Sequence, residues 1–123
     1  MKPAAFNYAK PSSVEEVLGL LSEYGDEATI LAGGQSLIPT MNMRLSAPAL
    51  VIDINGLDNL NGISDEGDRL RIGALTRHVE IENSELIASH APLITLAMPS
   101  IAHPAIRNRG TFGGSVAMAD PAA

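Results

Sequence analysis

The 123-residue chain has no cysteine and no tryptophan. Without cysteine it can form neither a disulfide nor a thiolate-held iron–sulfur cluster, so redox chemistry in this chain requires a bound organic cofactor. Aromatic residues are scarce: Phe6, Tyr8, Tyr24 and Phe112 are all there are, which leaves the core to Ala, Leu, Ile, Val and Met. Basic residues are also few, with 8 Lys and Arg against 14 Asp and Glu for a net charge of −6. The arginines form no stripe, so the electrostatic footprint of a nucleic-acid binder is missing. The 3 scattered histidines make a weak case for a metal site. Long apolar runs are lacking as well. The N-terminus MKPAAFNYAKPSS has no apolar centre of the kind a signal peptide needs, and no segment approaches membrane-spanning length. The expectation is a soluble cytoplasmic protein.

What is present argues for a folded chain. Hydrophobic residues make up 46% and charged residues 18%, a balance unlike that of disordered segments. The length suits about one domain, which hides roughly two-thirds of its unfolded surface.

The pattern predicts a short extended piece over Phe6 to Tyr8, then a helix. Ser12 and Glu15 have capping-box spacing. Val14, Val17, Leu18 and Leu21 follow at helical intervals, and Gly25 is a stop signal. Ala28 to Leu31 reads as a buried strand. Leu37 to Leu45 reads as a second helix capped by Ser36, with Leu37, Ile38, Met41 and Leu45 inward, and Leu50 to Ile54 as another buried strand. This alternation predicts a small parallel or mixed sheet with right-handed crossovers.

From Asn55 the texture changes to Asn, Gly and Asp, with alternation around Ile63, Leu70 and Ile72 and a turn over Asp65 to Asp68, the grammar of a hairpin. Thr76 is the expected cap of a helix near His78 to Asn83, and Ser84 or Pro92 opens further turns through Met98. The expected organisation is therefore α+β, with a small α/β subdomain over 1–55 and part of a second subdomain over 56–123.

Two glycine bends carry the functional signal: Gly33-Gly34-Gln35-Ser36 and Thr111-Phe112-Gly113-Gly114-Ser115. Glycine lets backbone N–H groups approach a ligand, and a following helix start offers unpaired donors and a favourable dipole. Either bend alone reads as a tight strand-to-helix turn. The pair, without a lysine in either, suits a diphosphate held by backbone amides.

Competing motifs are absent. The chain lacks the Gly-Lys pair of a nucleotide-triphosphate loop and the G-x-G-x-x-G dinucleotide fingerprint. The hydrolase elbow G-x-S-x-G fails at Ile38 in the first bend and at Ala117 in the second. A Ser36 nucleophile with His103 as base stays as a minor alternative.

Single residues divide between structure and function. Arg107 is open between a ligand phosphate and an ion pair, whereas Arg109 reads as a surface or interdomain pair. Asp53 and Asn108 are assigned to turn chemistry. His78 and His90 are expected to face solvent, and His103 is the histidine worth testing. Met41, Met43 and Met98 are expected in the core.

Together, LAGGQSLIPTMNMRL at 31 to 45, LVIDI at 50 to 54, IGALTRH at 72 to 78 and HPAIRNRGTFGGSVAMADPAA at 103 to 123 resemble the FAD-binding medium subunit of molybdenum hydroxylases, the carbon monoxide dehydrogenase and xanthine dehydrogenase group. The resemblance spans nearly the whole chain in order. It implies a PCMH-type fold, incomplete here, with FAD between the two subdomains. It also implies that Ala32, Gly33, Gly34, Gln35, Ser36 and Leu37 wrap the diphosphate. Thr111, Gly113, Gly114, Ser115 and, in the ADPAA run, Asp120 would close on it and on the sugar side. No catalytic residue is implied, because the flavin performs the redox step. The implied partners are a molybdopterin-binding large subunit and a 2Fe-2S small subunit, whose electrons FAD passes to an external acceptor. Phe112 replaces the family's usual aliphatic residue, a conservative packing change. The family pattern runs past ADPAA, so the expectation is a fragment or a truncated relative, with a flavin-free scaffold piece as the alternative function.

Overall fold

A computed structural model describes residues 1–122. The chain divides into two compact units, Met1–Asp58 and Asn59–Ala123, and each is described by itself.

The first unit is built on three strands, β1 (Asn7–Ala9), β2 (Ala28–Leu31) and β3 (Leu50–Asp53), in the order β1-β3-β2. Both pairings are parallel, with Asn7 and Ala28 each opposite Leu50. Parallel neighbours need long crossovers, and two helices supply them. Helix α1 (Val14–Tyr24) joins β1 to β2, while α2 (Leu37–Asn42) lies between β2 and β3. All four residues of the central strand β3 are buried. By contrast, β2 is an edge strand and only half-buried, with Ile30 exposed; the expectation of a buried strand there was too strong.

Helix α1 starts one residue later than the sequence suggested. The cap is Ser13, whose hydroxyl accepts from the Glu16 N–H at 3.2 Å, and the Glu16 carboxylate accepts in turn from the Ser12 N–H and hydroxyl. SSVEE offers the same three-residue spacing in two registers. In the one adopted, Val17 is buried, Val14, Leu20 and Leu21 are partly covered, and Leu18 stands 59% exposed. Helix α2 is also shorter than expected: Met41 is buried, but Ile38, Met43 and Leu45 are exposed.

The second unit opens on an antiparallel hairpin, β4 (Ile63–Asp65) and β5 (Leu70–Ile72), with Ile63 opposite Ile72. Short helices follow: α3 (His78–Glu82), α4 (Glu85–His90), α5 (Pro92–Ala97), α6 (Pro104–Arg107) and α7 (Phe112–Met118). Ser84 caps α4 by accepting from the Ile87 N–H, and Pro92 opens α5. Ile81, Ile87 and Met98 form the core, with Ile63, Leu70, Ile72, Ile94, Ile101 and Phe112 packed against it. Phe112 thus fills core space. Thr76 does not cap α3. It is fully buried, and its hydroxyl bridges the N–H and carbonyl of Gly62 at 3.0 Å each.

Candidate functional site

Because every strand of the first sheet runs the same way, all three C-terminal ends lie on one edge, the edge at which open α/β sheets bind ligands. The AGGQS loop leaves that edge directly after β2. Gly34 takes a left-handed φ of +75° there, and a Cβ would come within 3.1 Å of Ile38 and 3.2 Å of Leu31. The first i to i−4 bond runs from the Ile38 N–H to the Gly34 carbonyl at 3.0 Å. The amides of Gln35, Ser36 and Leu37 therefore stand in the opening turn, where helix N–H groups have no intrahelical acceptor. Ser36 occupies the cap position, but its hydroxyl makes no cap bond, contrary to expectation, and Ser36 is exposed.

Side chains hold this loop in place. Gln35 Nε2 donates to the Gly33 carbonyl at 3.1 Å, and Asn55 Nδ2 donates to the Ala32 carbonyl at 2.8 Å. Asn55 is itself fixed by Asp53, which accepts from its N–H at 2.9 Å and from Nδ2 at 2.6 Å, and the Tyr8 hydroxyl donates to Asp53. Burial by itself pushes the Asp53 carboxyl up, but the bonds from Tyr8 and Asn55 and the charge of Lys10 bring it below its ordinary value. The same bond to Asp53 raises the Tyr8 phenol. Strand β1, the end of β3 and the loop after β2 are thereby linked through polar contacts. Sequence reading gave Asp53 its turn-capping role but missed Asn55 and Tyr8. Their signal was faint: an Asn two residues after a buried strand's terminal Asp.

In the second unit, Thr111 to Ser115 is the start of a helix. The Thr111 hydroxyl accepts from the Gly114 N–H at 3.1 Å and caps α7. A Cβ on Gly113 would meet Ala74 atoms at 2.7 to 2.9 Å, and one on Gly114 would meet Thr111 Oγ1 at 2.7 Å. Close packing thus explains both glycines. Asp120 lies beyond the other end of α7, after a left-handed Ala119, and accepts from the Ala122 N–H at 2.9 Å. The structure does not bring Asp120 to the Thr111 cap, because a helix of this length separates them by about 10 Å.

The segment before α3 pairs with the segment before α7: the His78 N–H donates to the Gly110 carbonyl at 3.0 Å, and the Phe112 N–H to Thr76 at 2.9 Å. This pairing puts the His78 ring beside Gly110, where a Cβ would stand 2.9 Å from the imidazole, and beside Ser115, whose Oγ is 2.9 Å from Nε2. His78 is only 3% exposed, so the expectation that it faces solvent is wrong. Nothing local marks it, since its cover comes from residues more than thirty positions away. Burial first, and the Arg107 charge second, lower its pKa. Among the described residues, Nδ1 is buried with no hydrogen-bond partner.

A hydrolytic Ser–His pair needs a third group on the far ring nitrogen, and His78 has none. His103 is exposed at the N-cap of α6 and makes no cap bond. Arg107 is buried, with Nε donating to Glu82 at 3.1 Å and a terminal nitrogen to the Ile101 carbonyl at 3.0 Å. Its charge is matched inside the unit. Among the described residues, no helix is long and apolar enough to cross a membrane.

Residues 4–123 match the model of the FAD binding domain in molybdopterin dehydrogenase. The chain belongs to this family. FAD is the cofactor of the family's domain, and the fold is the family's α+β fold, present here in part. Among its relatives, the caffeine dehydrogenase subunit beta of Pseudomonas sp. (strain CBB1) is 48% identical over 99% of the chain. The 6-hydroxypseudooxynicotine dehydrogenase complex subunit alpha of Paenarthrobacter nicotinovorans is 50% identical over 100%. The chain spans 41% and 42% of the length of these two relatives. A solved carbon monoxide dehydrogenase from Hydrogenophaga pseudoflava superimposes with a TM-score of 0.96 at 43% identity, covering 98% of this chain and 42% of that one.

The fit of FAD to these residues rests on the first loop. A left-handed glycine that a Cβ would crowd, followed by opening-turn amides at the C-terminal sheet edge, is a donor set that suits a diphosphate.

Proposed function

We propose that this chain is the FAD-binding module of a molybdenum-dependent hydroxylase or dehydrogenase. In that enzyme, electrons pass from iron–sulfur clusters to FAD and on to an external acceptor. The observation that carries the reading is the AGGQS loop, which leaves the C-terminal edge of an all-parallel sheet with Gly34 at φ +75°. Ala32 to Leu37 bind the diphosphate through backbone amides, with Asn55 and Gln35 fixing the loop. Thr111, Gly113, Gly114 and Ser115 contribute from the second unit, and Asp120 from beyond α7. The flavin, when bound, supplies the redox chemistry, and the protein positions it and shapes its electrostatics. A molybdopterin-binding large subunit and a 2Fe-2S small subunit are the partners, in a cytoplasmic complex. These 123 residues contain no cysteine to hold a thiolate-bound cluster themselves.

The test is to purify the whole protein, denature it and quantify released flavin by absorbance and chromatography. The proposal expects stoichiometric FAD. Absence of flavin from a folded protein that also fails to take it up on incubation would favour the flavin-free scaffold.

A further inference from the structure

We infer that His78 is a positioning residue that donates from Nε2 to Ser115 and so leaves the Ser115 hydroxyl hydrogen for a phosphate oxygen of FAD. The inference rests on the flavin reading above and adds the direction of one hydrogen bond.

The argument starts from the ring. His78 is buried, Nε2 lies 2.9 Å from Ser115 Oγ, and Nδ1 has no partner. A neutral imidazole carries one hydrogen, so one nitrogen donates and the other accepts. Placing the hydrogen on Nδ1 would bury an N–H with nothing to receive it. Placing it on Nε2 leaves only an unfilled acceptor at Nδ1, and orphaned buried N–H groups are the rarer case. The imidazolium would bury the same orphan donor and would also face the Arg107 charge. The Nε2–H form is thus the one the packing selects, and Ser115 Oγ accepts.

That assignment frees the serine hydrogen. Among the described residues no protein group receives it: the backbone N–H of Ser115 bonds to the Thr111 carbonyl at 3.1 Å, and the hydroxyl meets the His78 ring. Ser115 is exposed, so the hydrogen can meet a ligand. A diphosphate oxygen accepts and does not donate, which suits a hydroxyl already committed as an acceptor on its other side. Gly110 supports the arrangement, since a side chain there would displace the ring.

The first measurement needs no flavin. Nitrogen-15 NMR of the histidine-labelled whole protein, freed of FAD, should give His78 the shifts of an Nε2–H imidazole at neutral pH; an Nδ1–H pattern overturns the inference. The second is FAD titration of variants. Ser115→Ala and His78→Leu should each weaken FAD binding on the order of tenfold, the loss of one bond to a charged acceptor. The double variant should bind no more weakly than either single one, since both remove the same interaction. His78→Gln, which keeps an N–H donor, should restore most of the affinity. Equal affinity in folded His78→Leu and wild type overturns the proposal, as does His78→Gln behaving like His78→Leu. Ser36→Asp separates the two readings: if it abolishes FAD binding while the His78 variants do not, the inference fails and the flavin assignment stands.

Discussion

The two glycine bends have nearly the same composition, yet their glycines answer to different constraints. In the AGGQS loop, Gly34 is required by its left-handed backbone, and the side chains that a Cβ would touch are the movable ends of Ile38 and Leu31. In the second bend no positive φ is involved. Gly113 and Gly114 sit in the first turn of a helix, and a Cβ there would strike the Ala74 backbone or the capping Thr111 hydroxyl. The first bend is a turn that presents amides; the second is a cap that packs closely. Sequence similarity between two loops therefore establishes shared composition, and only the backbone reveals what each glycine does.

The largest effect should come at Gly113. Gly113→Ala should destabilise the second unit by about 2–3 kcal/mol through overpacking against Ala74, which exceeds the gain in helix propensity of about 1 kcal/mol. Denaturant unfolding measures this. Gly34→Ala should cost less, about 1–2 kcal/mol, the penalty of a left-handed L-residue. The contrast sharpens with asparagine, which tolerates left-handed backbone. Gly34→Asn should be milder than Gly34→Ala, while Gly113→Asn should be worse than Gly113→Ala. Equal costs for both substitutions at Gly34 would break the distinction.

Smaller effects concern pH. The Asp53 pKa is lowered in the folded protein, so its contribution is fully present above the unfolded carboxyl range and is lost as pH falls through the folded value. Tyr8→Phe removes one of the bonds that favour the carboxylate, and the acid-unfolding midpoint should move to higher pH. The His78 pKa is also lowered. Its contribution is intact above the unfolded histidine value of about 6.5 and declines as pH falls below it, because the unfolded chain binds the proton first. His78→Gln should flatten that decline in a melting-temperature profile between pH 7 and pH 5.

Much of this architecture was legible in the sequence. The hairpin around Asp65 to Asp68, the buried run LVIDI and the helix start at Ser84 follow from local period and turn chemistry, and the structure has all three. The misplacements have physical causes. Ser12 and Ser13 offer two capping registers, and in the one adopted Ser13 caps the helix while the Glu16 carboxylate accepts from both the N–H and the hydroxyl of Ser12. Leu45 fits a helical period but ends exposed, because α2 stops at Asn42, while Ile38 lies within α2 on its exposed side. The site was half-legible. The glycine loops announced themselves, whereas the network from Tyr8 through Asp53 and Asn55 to Ala32, and the meeting of His78 with Ser115, join residues far apart in the chain. No local pattern encodes such contacts.

The central claim is that the AGGQS loop presents amides to a diphosphate, and Ser36→Asp tests it most directly. Ser36 is exposed at the start of α2, and a carboxylate beside a helix N-terminus is favourable, so the fold should hold. The new carboxylate would face the diphosphate, and repulsion at contact distance should weaken binding on the order of 100-fold or more. The measurement is the FAD dissociation constant of the variant, paired with its melting temperature. A large loss of flavin affinity with an unchanged or raised melting temperature is the predicted result; unchanged affinity in a folded variant would contradict the account.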